Sequence, residues 1–199
     1  MYINRTLERK FLSVANEYGC VLLTGPRQVG KSTMLRHLME GTNRLEVSLD
    51  DMEARGLAKK DPAMFLKLYP APVLIDEVQY APELFSYIKM EIDHGAAPGS
   101  YWLTGSQSFR LMELVQESLA GRMAILHMPS LSQSELYGDG RTLPFSVDMD
   151  GLQTRKSMLA AADPMEMYER IWNGSLPGHR SGKYKDRNVF YSSYVQSYI

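Results

Sequence analysis

The chain has 199 residues, 44% hydrophobic and 23% charged, as expected of a soluble globular protein holding one α/β domain and a small appendage. A net charge of −1 gives no global electrostatic case for nucleic acid or an anionic membrane, and the single cysteine, Cys20, excludes an intrachain disulfide framework and fits a reducing cytoplasm. No apolar leader stands in MYINRTLERKF, and no stretch approaches transmembrane length, so no membrane role is expected.

Thr6 is placed to cap a first helix from Leu7 to about Tyr18, with Leu7, Phe11, Val14, Ala15 and Tyr18 on one face. Gly19 stops it, and Val21 to Thr24 follows as a buried strand. Then comes Gly25-x-x-x-x-Gly30-Lys31-Ser32, a phosphate-binding loop pattern between a strand and a helix. The glycines let the backbone turn with positive φ and bring N–H groups against phosphate oxygens. The helix N-terminus adds unpaired N–H groups and positive partial charge. The expected cradle is Gly25, Pro26, Arg27, Gln28, Val29, Gly30, Lys31, Ser32 and Thr33. Lys31 would reach the β- and γ-phosphates, and Ser32 would put its hydroxyl on Mg²⁺. The helix behind the loop carries Met34, Leu35, Leu38 and Met39 toward the sheet and ends at Gly41.

Arg44 to Ser48 reads as a short strand. Asp50 and Asp51 after it either face the nucleotide or cap the next helix, the commoner use of such a pair. Asp61-Pro62 opens a helix to Tyr69, with proline at its first position. Val73-Leu74-Ile75 is a fully apolar run, as in a central parallel strand, and it delivers Asp76 and Glu77 at its carboxyl end. This is a Walker B arrangement, with Asp76 to hold Mg²⁺ through water and Glu77 to polarise the attacking water. Pro82 opens a helix with Leu84, Phe85, Ile88 and Ile92 inward.

Ser100 to Thr104 makes the fourth strand, followed by Gly105-Ser106-Gln107-Ser108. A polar residue there could report on the γ-phosphate; Ser106 is the first candidate and Thr104 the second. Ordinary turn chemistry stands level with that reading, since Ser108 can cap a helix from Phe109 to Leu119. Gly121-Arg122 ends that helix, and Met123 to Met128 is the fifth strand. Arg122 either is solvated or serves as an arginine finger for a neighbouring subunit's nucleotide.

Beyond Pro129 the character changes to helical. Ser132-Gln133-Ser134-Glu135 fits a capping box, and the helix it opens meets Gly138 and Gly140. Phe145 to Gln153 reads as a connector. Two short helices follow, Thr154 to Ala162 and Pro164 to Trp172, the second capped by Asp163 and ended by Asn173-Gly174. His179 to Arg187 is a basic loop, read mainly as solvated, with nucleic-acid or phosphate contact the weaker alternative. The four histidines have no partners at metal-ligand spacing. Phe190, Tyr194 and Tyr198 share a face of a last helix that stops at Ile199 without a cap, as expected of a chain cut from a longer protein.

GPRQVGKST, LIDEVQ and LTGS, with SLAGR after them and a turn formed by Trp172, Gly174 and Pro177, resemble predicted ATPases of the AAA+ superfamily. The bacterial and archaeal members commonly carry a C-terminal nuclease-like domain, which the resemblance implies is missing here. It further implies an α/β P-loop NTPase sandwich of three layers, with parallel strand order 5-1-4-3-2. Residues 1–130 would form the ATPase core and 131–199 a small helical lid. Lys31 and Ser32 become the Walker A pair, Asp76 and Glu77 the Walker B pair, Ser106 the sensor and Arg122 the leading finger candidate. The lid turn departs from the pattern at Ser175-Leu176, where a second glycine and an aromatic are expected.

The expected activity is Mg²⁺-dependent ATP hydrolysis in the cytoplasm, with homo-oligomerisation through an arginine finger as its expected assembly. The alternative is a nucleotide-gated binding or assembly module with little hydrolysis. A small-molecule kinase fits poorly, because Glu77 is placed to recruit the water a kinase must exclude. A guanine-reading Asn-Lys-x-Asp motif is absent from the sequence.

Overall fold

Five short apolar segments become the strands β1 (Cys20–Gly25), β2 (Leu45–Ser48), β3 (Val73–Asp76), β4 (Tyr101–Ser106) and β5 (Met123–His127). The computed structural model describes residues 2–106, 119–137, 147–158 and 163–198. All strand pairings are parallel, in the order β2-β3-β4-β1-β5, which is the expected order read from the other edge. β1 and β3 are buried along their whole length, as internal strands covered on both faces must be.

The helices of this layer are α1 (Leu7–Ala15), α2 (Lys31–Met39), α3 (Met52–Lys60), α4 (Pro62–Leu68) and α5 (Leu84–Asp93). Each sets a narrow apolar stripe against the sheet: Phe11, Val14 and Ala15 from α1, Met34 and Leu35 from α2, Leu84, Phe85 and Ile88 from α5. Fully burying one such large side chain contributes about 1.5–3 kcal/mol. Phe11 meets Trp102 of β4 edge-on, with ring centroids 4.9 Å apart. Asp51 caps α3 by accepting from the N–H groups of Glu53 and Ala54, and Asp61 caps α4 ahead of Pro62. The capping reading of Asp51 therefore holds.

Some boundaries differ from expectation. α1 stops at Ala15, leaving Tyr18 outside the helix, and Leu38 and Met39 lie only partly buried at the end of α2. A 3₁₀ turn, Val78–Tyr80, precedes α5 and was not expected. β4 runs on to Ser106, so the proposed sensor closes the strand and does not stand in the turn after it. The cap at Ser108 and the helix from Phe109 fall in 107–118, outside the described residues.

The chain divides into two compact units, Leu7–Ser130 and a second made of Met1–Thr6 with Leu131–Ile199. The second unit holds α6 (Gln133–Tyr137), α7 (Met149–Met158), α8 (Pro164–Asn173), α9 (Pro177–Arg180) and α10 (Arg187–Tyr198). Ser132 and Glu135 form the capping box, with Ser132 N–H donating to Glu135 Oε2 at 2.7 Å and Glu135 N–H to Ser132 Oγ at 3.2 Å. α7 begins at Met149, inside the expected connector. Asp148 accepts from Gly151 N–H at 2.6 Å and starts the helix locally, a signal that apolar periodicity cannot carry. Gly138, Gly140 and Phe145 lie outside the described residues. No described helix is long and apolar enough to cross a membrane.

Candidate functional site: the carboxyl edge of the sheet

Parallel sheets collect polar groups where their strands end, because the ends carry loops whose backbone is not consumed by the ladder. Register places Gly25 opposite Ser106 and Ser48 opposite Asp76 along this edge. Gly25 has φ 148°, and a Cβ there would stand 2.3 Å from the Met128 carbonyl oxygen, so only glycine fits the exit from β1. Gly30 and Gln28 also have positive φ, 95° and 62°. The loop thus doubles back over the start of α2, with Pro26, Arg27 and Gln28 exposed, Val29 buried and Thr33 exposed on the first helical turn.

Lys31 is only 6% exposed, and its Nζ donates to the carbonyl oxygens of Gly25 at 3.0 Å and Pro26 at 2.8 Å. Burial pulls the ammonium pKa below its ordinary value; Glu77 and then Asp76 push it back up, and Arg27 lowers it further. Ser32, on the first turn of α2, donates its hydroxyl to Asp76 Oδ1 at 2.7 Å. Walker A and Walker B candidates 44 residues apart are therefore in direct contact.

Thr104 joins them. Its hydroxyl donates to Asp76 Oδ1 and accepts from Glu77 N–H at 3.1 Å. The residue is fully buried one strand away from Asp76, where the second-choice sensor becomes the direct partner of both acidic residues. Ser106 lies beside the loop, across from Gly25. Glu77 leaves the strand with φ 58° and ψ 45°, a left-handed conformation that costs a non-glycine residue about 1–3 kcal/mol. Its carboxylate Oε2 accepts from the side-chain amide of Gln79. Gln79 closes the LIDEVQ stretch that carries the family resemblance, but the sequence assigns it no role of its own.

Arg122 is not brought to this edge. It directly precedes Met123, which pairs with Cys20, whereas the loop end of β1 pairs Thr24 with His127. Four strand residues, about 13 Å, separate the two ends. There Arg122 forms an exposed ion pair with Asp93. Asp50 lies exposed beyond β2. Burial pushes the Cys20 thiol far above its ordinary value, which suits an inert core residue. The expected basic loop is shorter than His179 to Arg187, since Arg180 ends α9 and donates to Tyr137 Oη at 3.1 Å, and Arg187 opens α10 and stacks on Trp172 at 3.9 Å. Among the described residues, no group of three or more His, Cys, Asp or Glu could hold a metal ion. The site's oxygen donors are instead Ser32 and Asp76, a set suited to a hard cation that keeps water and phosphate in its shell.

A family model described as an AAA domain matches residues 17–137. Two uncharacterized proteins, from Mycobacterium bovis and Mycobacterium tuberculosis, are each 36% identical over 115 residues, 56% of this chain and 25% of theirs. The chain thus matches about a quarter of the length of these curated relatives. A Walker-type ATPase of Pyrococcus abyssi superposes with a TM-score of 0.52 at 17% identity, over 89% of this chain and 65% of that one. AMPPCP-bound DnaA from Aquifex aeolicus superposes with a TM-score of 0.50 at 14% identity, over 92% of this chain and 61% of that one. At these identities the two structures speak for the fold alone.

Proposed function

The chain belongs to the AAA domain family, and from that premise we propose that it binds ATP with Mg²⁺ and hydrolyses it to ADP and phosphate. The observation that carries the reading is the contact between Ser32 Oγ and Asp76 Oδ1, beside a buried lysine held by loop carbonyls. Lys31 exchanges those carbonyls for phosphate oxygens, which offer a full negative charge to a poorly solvated ammonium. The backbone N–H groups from Gly25 to Thr33 line the phosphates. Ser32 and Asp76 hold the cation, which when bound neutralises charge on the phosphate oxygens. Glu77 orients the water that attacks the γ-phosphorus and accepts its proton as the bond to the β–γ bridging oxygen breaks. Thr104 fixes Asp76 and the Glu77 backbone, and Ser106 serves as the polar sensor beside the γ-phosphate.

Arg122, remote from its own chain's loop, is assigned to the nucleotide of a neighbouring copy, and the helical segment 131–199 to the lid. The protein acts in the cytoplasm, in keeping with its single buried cysteine. The test is phosphate release with Mg²⁺ and ATP across protein concentrations, with and without DNA. Glu77→Gln should bind ATP and release phosphate about 1,000-fold more slowly. Equal turnover in that variant refutes the role of Glu77. Turnover per chain should rise with concentration and lose that rise in Arg122→Ala; turnover per chain independent of concentration removes the finger from the account. Saturable ATP binding with negligible phosphate release by the wild-type chain would instead mark a nucleotide-gated module.

A further inference from the structure

Asp76 and Glu77 are held in different ways. Asp76 receives hydroxyls from Ser32 and Thr104, two partners that the strand and helix positions already supply. Glu77 lies outside the ladder in a left-handed conformation, so sheet geometry alone does not aim its side chain. Its backbone N–H is tied to Thr104, and its carboxylate is tied to the amide of Gln79 on the following turn. Val78 between them is fully buried and anchors the turn in the core, so the Gln79 side chain springs from a fixed base.

The orientation of the Gln79 amide follows from chemistry. An ionised carboxylate only accepts, so the NH₂ end must face Glu77 and the carbonyl end must face away. That carbonyl oxygen, Gln79 Oε1, is shut off from solvent and has no partner among the described residues. Leaving a buried acceptor unmade costs about 1–3 kcal/mol. An amide placed for its own hydrogen bonding would satisfy both ends; this one gives up its acceptor to keep its donor on Glu77. The Glu77 carboxylate is also one of the two charges that raise the Lys31 pKa, so it acts electrostatically on the loop lysine.

The geometry points to Gln79 as a positioning residue for hydrolysis, whose amide donor fixes the Glu77 carboxylate in the orientation that receives the attacking water. The inference rests on the hydrolytic reading of Glu77. Gln79 neither touches the nucleotide nor takes the proton; it acts through Glu77 and removes the freedom of a flexible side chain before water arrives. Its loss therefore lowers kcat and leaves ATP binding alone.

Two shape-keeping variants separate this role from packing. Gln79→Met has similar length and no donor, and Gln79→Glu keeps the shape but sets an acceptor against an acceptor. Steady-state phosphate release with Mg²⁺-ATP, run beside wild type and Glu77→Gln, should show kcat about tenfold lower in Gln79→Met and lower still in Gln79→Glu. KM and the directly measured ATP affinity should stay within about twofold of wild type. Where Gln79→Met does not fold, judged by its thermal melt, Gln79→Asn withdraws the donor by one methylene and takes its place. Unchanged kcat in the folded variants, or a raised KM at full kcat, overturns the inference. If Glu77→Gln is inactive while Gln79→Met is fully active, only the role of Gln79 falls. If Glu77→Gln turns over like wild type, or the wild-type chain shows no turnover, both readings fall.

Discussion

Two clusters of buried charged side chains among the described residues, one in each compact unit, are satisfied to very different degrees. In the helical unit, Glu135 accepts from Arg5 Nε at 3.1 Å, Thr6 N–H at 2.7 Å, Thr6 Oγ1 at 3.1 Å and Ser132 N–H at 2.7 Å. Both side chains of the Arg5–Glu135 pair are 4% exposed. In the sheet unit, Lys31 Nζ spends its hydrogen bonds on two loop carbonyls, and the Thr24 hydroxyl is buried without a partner among the described residues. A saturated cluster has nothing left to offer a ligand and holds structure. An under-satisfied one stores unfavourable free energy that a suitable ligand relieves.

The sharpest way to break this contrast is to remove one member from each cluster. Glu135→Leu removes the carboxylate that accepts from Arg5, Thr6 and Ser132 in a buried place, and should destabilise the chain by about 3–5 kcal/mol in urea unfolding. Nucleotide affinity of the folded fraction should not change. Lys31→Met should behave oppositely: ATP affinity falls about 100-fold, worth about 2.7 kcal/mol. Its unfolding midpoint should not fall, because the cost of burying the ammonium disappears with the charge. A large loss of stability in Lys31→Met would erase the distinction.

The clusters should also differ with pH. Burial pushes the Glu135 carboxyl up, but the N–H groups of Ser132 and Thr6 and the Arg5 guanidinium outweigh it, leaving its pKa below the ordinary value. A depressed carboxylate adds stability that is full above the unfolded value, about 4.3, and drains as pH falls through its folded value. Acid titration followed by circular dichroism should therefore show helix loss that Glu135→Gln no longer displays over the same range. As the smallest effect, Asp51→Ala removes a helix cap whose carboxylate bonds Glu53 and Ala54 N–H and neither cluster, and should cost about 1 kcal/mol in the urea midpoint with ATP affinity unchanged.

The two units were also unequally legible in the sequence. Strand order, the loop and the Asp76-Glu77 edge could be read because a parallel sheet writes its buried strands as apolar runs and its site at their ends. Thr104 outranks Ser106 as a partner of the acidic pair because the register of β3 on β4 sets it beside Asp76, and local pattern does not fix a register. Gln79 escaped because its importance is a contact with a side chain two residues away in a left-handed turn, and no periodicity encodes that. In the helical unit, α8 leaves Met165, Tyr168, Ile171 and Trp172 exposed, so apolar pattern and burial part company there. The capping box was visible, whereas the use of its glutamate by Arg5 and Thr6 joins residues about 130 positions apart.

The central claim is that the polar edge of the sheet is completed by the phosphates of a nucleotide. Thermal unfolding of the wild-type chain with Mg²⁺-ATP, beside Lys31→Met under the same conditions, tests it most directly. At a ligand concentration of about 100 Kd, binding to the folded state adds about 2.7 kcal/mol, and the account predicts a Tm increase of several degrees in wild type and none in Lys31→Met. An unshifted wild-type Tm at millimolar Mg²⁺-ATP, or an equal rise in both proteins, would contradict it.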